Sequence, residues 1–371
     1  MTLDAQAGGA PVAGEEEIEG VEQTHHARYS AQKTPSNFVD PASIIIVIPT
    51  LNEAAHIEAC IRSLRDGPET EAALIVVADG GSADATREIV AGLAKEAPNL
   101  RLIDNPGRLQ SCAVNRAARE MGKGCKILVR CDAHAVYPPR FALDVAARLT
   151  ETGAASLVVP MDARGEGRLQ RAVAFIIDTP LGSGGSAHRG GRVSGWVDHG
   201  HHAGFDLGWF RRLGGYDESF SHNEDAEYDR RLTEAGGRIW LEASIRLGVF
   251  TRPTIAGLAR QYWSYGKGRA RTALKHRMRP RLRQMIPVAH TIVLALSLAA
   301  APFTGLGLLY PALYGALCAS VSVWAAVRMR SSAGLWAGPA LATMHSCWGA
   351  GFLNQLTREL ATRDAAPQPP S

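Results

Sequence analysis

From residue 284 to residue 327 the chain carries no Asp, Glu, Lys or Arg. A bilayer core about 30 Å thick takes about 20 apolar residues per helix, so this run is long enough for two spans. They are expected near 286–303 and 312–327, with Pro302, Gly305, Gly307 and Pro311 at the turn between them. Arg328 and Arg330 interrupt the run. A third apolar stretch, 333–356, is loosened by Gly334, Gly338, Pro339, Gly349 and Gly351. The expectation is a membrane domain of two to three helices over 285–357, then a disordered charged and proline-rich tail, 358–371. Three spans would leave the C-terminus outside.

The segment just before the spans, 256–284, turns basic, with Lys267, Arg269, Arg271, Lys275, Arg277, Arg279, Arg281 and Arg283 and no acid after residue 265. Such a run in isolation suggests nucleic acid. Directly before a span it reads as the positive-inside signature and as a surface for anionic headgroups. Nucleic acid is therefore disfavoured as a partner. The N-terminal body is expected on the cytosolic face of the cytoplasmic membrane, in a multi-pass protein. The six cysteines (Cys60, Cys112, Cys125, Cys131, Cys318, Cys347) form no CxxC pair and no cluster with histidine, which argues against a disulfide framework or a zinc site. Residues 1–40 are rich in Ala, Gly, Glu and Gln without an apolar period and read as a disordered tail, with His25 and His26 solvated. No basic region followed by an apolar run opens the chain, so no secretory signal is expected.

Between these ends, 41–255 alternates strand and helix. Ile44-Ile45-Ile46-Val47-Ile48 is a β-branched run stopped at Pro49, as in a strand buried on both faces. Ile57, Cys60, Ile61 and Leu64 recur at helical spacing. A second strand (74–78), a helix from about Asp84 to Lys95 capped by Asp84, a third strand (100–103), a helix (109–121), a strand at 126–130 and a helix (139–150) follow. This is the pattern of a doubly wound α/β sheet. Ser156-Leu157-Val158-Val159 is a fifth strand.

In open α/β sheets, ligands bind beyond the carboxyl ends of the strands. Thr50-Leu51-Asn52-Glu53, Asp79-Gly80-Gly81-Ser82 and Asp132-Ala133-His134 all follow strands directly and are expected to converge on one crevice. An acid and an imidazole at i and i+2 can hold a divalent metal, although Asp132 as a loop cap and His134 as a surface residue is the simpler reading. Neither GxGxxG after the first strand nor a Walker pattern is present, which disfavours dinucleotide and P-loop enzymes. The glycine-rich segment from Gly182 to Gly195, with His188, Arg189 and Arg192, reads as a loop, a lid or a phosphate cradle. His199, His201 and His202 read as substrate contacts or structure before metal ligands. Glu224, Asp225 and Glu227 suit the first turn of a helix; that does not explain the approach through Gly214-Gly215-Tyr216-Asp217-Glu218.

Taken in order, 48–53, 77–86, Asp132-Ala133-His134 and Gly214-Gly215-Tyr216-Asp217-Glu218 followed by Glu224-Asp225 resemble the signature of family 2 glycosyltransferases over about 43–250. The Asp-Ala-His variant, the loop at 182–186 and 345–352 look most like the succinoglycan-type exopolysaccharide glucosyltransferases. The resemblance implies a GT-A fold, a Rossmann-like nucleotide-diphospho-sugar transferase domain, and a UDP-sugar donor. Pro49, Thr50, Glu53, Asp79 and Arg108 would then bind the donor, with Asp79 accepting from a uracil N–H. Asp132 and His134 would hold the diphosphate and a Mn²⁺ or Mg²⁺ ion, histidine standing where the family commonly has a second acid. Asp225 would be the general base, with Glu224 beside it. Gln261-Tyr262-Trp263 departs from the Gln-x-x-Arg-Trp motif of processive synthases, which implies non-processive transfer to a lipid-linked or polysaccharide acceptor among other assembly proteins. The alternative is a membrane-tethered sugar-nucleotide-binding scaffold without turnover.

Overall fold

A computed structural model describes residues 39–183 and 193–364. The expected N-terminal tail up to residue 38 with His25 and His26, most of the glycine-rich loop with His188, Arg189 and Arg192, and residues 365–371 of the C-terminal tail lie outside the described residues.

The β-branched run is strand β1 (Ile44–Thr50). Side chains alternate across a sheet, so one run supplies both cores. Ile44, Ile46 and Ile48 enter one cluster, with Ile57, Cys60, Ile61 and Leu64 of α1 (Ile57–Leu64) and Val90 and Leu93 of α2 (Thr86–Glu96). Ile45 and Val47 enter the other, with Val114, Ala117 and Ala118 of α3 (Gln110–Glu120). Each such side chain contributes about 1.5–3 kcal/mol when fully buried. Strands β2 (Leu74–Asp79), β3 (Leu100–Asp104) and β4 (Ile127–Arg130) are parallel to β1 in the order β3-β2-β1-β4. Helix α4 (Phe141–Thr152) follows.

Beyond β4 the sheet departs from the expected parallel pattern. After β5 (Ser156–Val159), the order continues β4-β8-β5-β9-β7, with β7 (Gly195–Val197), β8 (His201–Asp206) and β9 (Ile239–Leu241). Strand β8 runs antiparallel to both β4 and β5. The chain leaves β5 into β6 (Met161–Arg164), passes α5 (Arg168–Ile177) and α6 (Pro180–Ser183), and returns as β8 in the gap between the two strands. Gly204 permits that insertion, because a Cβ there would overlap Val145 of α4. Strand β6 pairs separately with β10 (Leu247–Phe250). Helices α7 (Leu207–Arg212) and α8 (Glu224–Glu234) cover the second face. The helix expected from Asp84 starts at Thr86; Asp84 instead accepts the backbone N–H groups of Thr86 and Ala54 at 3.1 Å each.

At the C-terminal end lie α9 (Ile255–Lys275), α10 (Leu282–Ala300), α11 (Leu309–Met329) and α12 (Ala337–Asp364). Among the described residues, two helical stretches are long and apolar enough to cross a membrane, Leu282–Ala300 and Gly305–Met329. The third expected span is α12, which fails that test and continues to Asp364, through residues read from the sequence as tail. Most of the expected juxtamembrane segment is helix α9. It packs along α12 through glycines: a Cβ on Gly266 would overlap the Trp348 carbonyl oxygen, and one on Gly351 would overlap that of Trp263. The residues that loosen the third run by composition are thus the points of closest helix approach.

Overpacking of a tight contact costs about 1–3 kcal/mol. Gly266→Ala is expected to lower the unfolding free energy in detergent by that amount. Gly315→Ala, inside α11 at a position with open space around it, is expected to leave the stability unchanged or raise it by up to about 1 kcal/mol.

Candidate functional site

The loops after β1 and β2 are laced together. Asn52, at φ 56°, donates its N–H to Ser82 Oγ and accepts the Ala83 N–H, both at 2.8 Å. The Glu53 N–H reaches Thr86 Oγ1 at 2.8 Å. Asp79 is buried at the strand end and accepts from Ser82 Oγ (2.5 Å), Arg87 (2.8 Å) and the N–H groups of Gly81 and Ser82 (3.0 Å each). Burial by itself would raise its pKa; these bonds outweigh it and hold the carboxyl below the usual range. Both oxygens of Asp79 are therefore engaged by its own loop and by Arg87. Pro49 and Thr50 close β1, and Arg108 lies in the turn before α3, its Cα 3.4 Å from where a Gly80 Cβ would sit.

A second group of side chains gathers at the end of β4. Arg130 is only 7% exposed, and its Nη2 donates to Asp132 Oδ1 at 3.1 Å. The Asp132 N–H donates to the Tyr137 hydroxyl at 2.5 Å, which fixes the loop. Burial pushes the Asp132 carboxyl up, but Arg130, His201 and His134 together bring it down to about 2. On β8, His201 places Nε2 3.8 Å from Asp132 Oδ2, and burial lowers that imidazole to about 4. A charged carboxylate thus faces a neutral imidazole, the protonation states that ligate metal. His134 turns instead to Glu53, Nδ1 to Oε1 3.2 Å, and that bond raises its pKa against the opposing effect of burial. Among the described residues no group of three or more His, Cys, Asp or Glu is arranged to hold a metal. The single carboxylate, Asp132, fits an ion such as Mg²⁺ or Mn²⁺ that takes most of its ligands from substrate phosphates and water, with an imidazole as a further, softer donor.

Helix α8 carries the third group. The approach through Gly214 and Gly215 takes positive φ at both, 76° and 72°, and returns Tyr216 inward, where Asn115 of α3 accepts its N–H and donates to its carbonyl at 2.8 Å each. Glu224 and Asp225 follow in the first turn. Burial raises the Asp225 carboxyl, yet His199, His202, Arg130 and the Ala226 N–H hold it at about 2. Burial and the Asp225 charge push Glu224 up. The two acids are set apart, one firmly ionised and one holding its proton more readily.

One turn further, Asp229 is 1% exposed and binds His199 Nδ1 and His202 Nε2, both at 2.7 Å. The Tyr216 hydroxyl reaches His202 Nδ1 at 2.8 Å. The three histidines therefore divide: His201 faces Asp132, while His199 and His202 hold Asp229.

One cavity of about 1850 Å³ collects Asp132, His134, His201, Glu224 and Asp225, and extends to Ile286 and Pro287 of α10 and His345 and Trp348 of α12. Thr50, Glu53, Asp79 and Arg108 do not line it; Glu53 touches it through its contact with His134. The sequence reading passed over Arg130, the one charge in the β4 run and a detectable signal, and assigned no partner to His201.

The pattern of the family described as Glycosyl transferase family 2 matches residues 45–214. The succinoglycan biosynthesis protein ExoA of Rhizobium meliloti (strain 1021) is 44% identical over 321 residues, covering 86% of this chain and 97% of that protein. Among solved structures, the mannosyltransferase PcManGT of Pyrobaculum calidifontis, in complex with GDP-Man and Mn²⁺, is similar in fold, with a TM-score of 0.55 and 18% identity over 92% of this chain and 96% of that one.

The Asp229 network makes a pH-dependent contribution. The histidine contacts, against burial, hold Asp229 below its ordinary value of 3.8, so its stabilisation is present above that value and lost as pH falls through the lowered one. Asp229→Asn is expected to cost about 1–3 kcal/mol at pH 7. The deficit against the wild type narrows on acidification below about pH 4, read from unfolding curves at each pH.

Proposed function

The chain belongs to glycosyltransferase family 2, and on that premise we propose that it moves a hexose, glucose by its resemblance, from a UDP-sugar to a hydroxyl of a lipid-linked or polysaccharide acceptor in exopolysaccharide biosynthesis. The observation that carries this reading is that Asp132 and Asp225, both held ionised, line a single cavity that reaches the apolar helices. The extent of the likeness to ExoA, a succinoglycan biosynthesis protein, supports the exopolysaccharide assignment.

The roles follow from charge and placement. The β1 and β2 loops, with Thr50, Glu53 and Asp79, frame the nucleotide, and Arg108 lies beside them. Arg130 keeps Asp132 charged next to the diphosphate. Asp132, His134 and His201 are the residues that would hold a Mn²⁺ or Mg²⁺ ion, which when bound offsets the charge of the leaving diphosphate. Asp225 accepts the proton of the acceptor hydroxyl as its oxygen bonds to the anomeric carbon, and the nucleoside diphosphate leaves from the opposite face, so the configuration inverts. A carboxylate held at about 2 is a weak base for a free alcohol; it works late, as the hydroxyl acidifies on bonding to carbon. Helices α10 and α11 cross the cytoplasmic membrane, with Arg279 to Arg283 and Arg328 and Arg330 on the cytosolic side beside the catalytic domain.

Asp225→Asn is expected to reduce transfer by about 10²–10⁴-fold while donor affinity stays near the wild-type value; loss of UDP binding would take Asp225 out of the base role. Reporter fusions after Arg283, Arg330 and Arg363 are expected to mark the same, cytosolic side. Opposite sides for Arg330 and Arg363 would make α12 a third crossing.

A further inference from the structure

Two faces of α9 make different contacts. Trp263, Gly266 and Ala270, at helical spacing, meet the helices beyond it. The first two lie at the close approaches to α12, and Ala270 is buried with Val288 of α10 and Phe352 of α12. Gly268, Arg271 and Lys275 recur three and four residues apart on the opposite side, since two residues turn a helix by about 200°. That side grips the segment 217–227. A Cβ on Gly268 would stand 2.8 Å from Asn223 Cβ and 2.9 Å from the His222 carbonyl oxygen. Arg271 donates to the Ser219 carbonyl and, at 2.9 Å, to Ser219 Oγ, with its guanidinium 4.3 Å from the centre of the Phe220 ring. Lys275 pairs with Asp217 at 2.6 Å and Glu227 at 2.5 Å, and His276 reaches Glu227 at 3.1 Å. The gripped segment runs into the first turn of α8. Asn223, directly before Glu224 and Asp225, is left-handed, with φ 64° and ψ 22°, and its side chain makes no capping bond. A non-glycine residue stays in that region where its surroundings impose it.

We infer that α9 is the positioning element for the proposed base. Gly268, Arg271 and Lys275 keep Asn223 in its left-handed turn, which aims Glu224 and Asp225 into the cavity. The contacts of the opposite face make that aim depend on α10 and α12. This deepens, and rests on, the transferase reading, in which Asp225 takes the proton of the acceptor hydroxyl. The segment 217–227 carries the base and none of the proposed donor contacts, so disturbing it slows transfer without weakening the donor. A misplacement of about 1 Å in a reacting group can cost about a hundredfold in rate.

The test uses the full-length protein, each variant replacing the cell's own copy. Glucose incorporation from radiolabelled UDP-glucose is followed in native membranes, which carry their own acceptors. UDP affinity and hydrogen exchange are measured on the same proteins in nanodiscs. Gly268→Ala and Arg271→Gln are each expected to lower kcat by about tenfold to a hundredfold, with the KM for UDP-glucose and the UDP affinity within about twofold of the wild type. Exchange should rise over 217–227 and stay unchanged over β1 to β4, which certifies a folded variant. Adding Asn223→Gly to Gly268→Ala removes the 2.8 Å contact with a residue that takes positive φ freely, and most of the lost rate returns. An unchanged kcat in variants whose exchange over 217–227 has risen would overturn the inference. So would a parallel loss of UDP affinity, or no recovery in the double variant. If wild-type membranes bind UDP but incorporate no glucose, the proposed function fails; the exchange over 217–227 then decides by itself whether α9 holds the segment.

Discussion

Arg130 is a guanidinium at the end of a central strand, 7% exposed, surrounded by Asp132, Tyr216, Glu224 and Asp225. Desolvation opposes its charge, and the acids around it more than restore that charge, so its pKa lies above the ordinary arginine value. The dependence is mutual: Arg130 is among the groups that keep Asp132 and Asp225 ionised against their own burial. An arrangement of this kind is poor as a stability device, because desolvating the charges offsets most of what their attraction returns. Its use is chemical. It holds two negative charges in one cavity, one at the strand end and one on α8, at a pH where an isolated buried pair would take up a proton.

Around that charge the histidines are sorted by geometry. Strand β8 enters antiparallel between β4 and β5, so His201 and His202, on opposite faces of the strand, reach different acids. His201 meets Asp132, and His202 meets Asp229 with Tyr216 behind it. His199, just before the strand, completes the grip on Asp229. The neutral imidazole faces Asp132, and the two others brace α8, the helix that carries Asp225. Asn115 does the same for the approach to that helix, gripping Tyr216 through both of its backbone groups.

The C-terminal helices close the cavity rather than merely follow the domain. Helix α9 is tied to the α8 side by Lys275, which reaches Asp217 and Glu227, and to α12 by the close approaches at Gly266 and Gly351.

Much of this was legible in local pattern. A β-branched run that ends at a proline, acids placed directly after strands, and an apolar stretch without charge each have few physical solutions, so β1 to β4, the positions of Asp79, Asp132 and Asp225, and helices α10 and α11 could be read from composition and spacing. The antiparallel entry of β8 could not, because strand order depends on how the chain returns after β6, α5 and α6. His201 and Asp132 therefore give no sign in sequence of being neighbours, and His134 gives none of turning to Glu53. The extension of α12 to Asp364 was hidden in the same way: its glycines weaken a helix read in isolation and strengthen one that packs closely on α9. The sequence by itself determined the first five strands, the two long apolar helical stretches and which acids stand at strand ends, since these follow from nearest-neighbour sterics and the transfer of side chains out of water. Only the tertiary structure decided which imidazole faces which carboxylate and which arginines line the cavity, since those depend on distances between segments far apart in the chain.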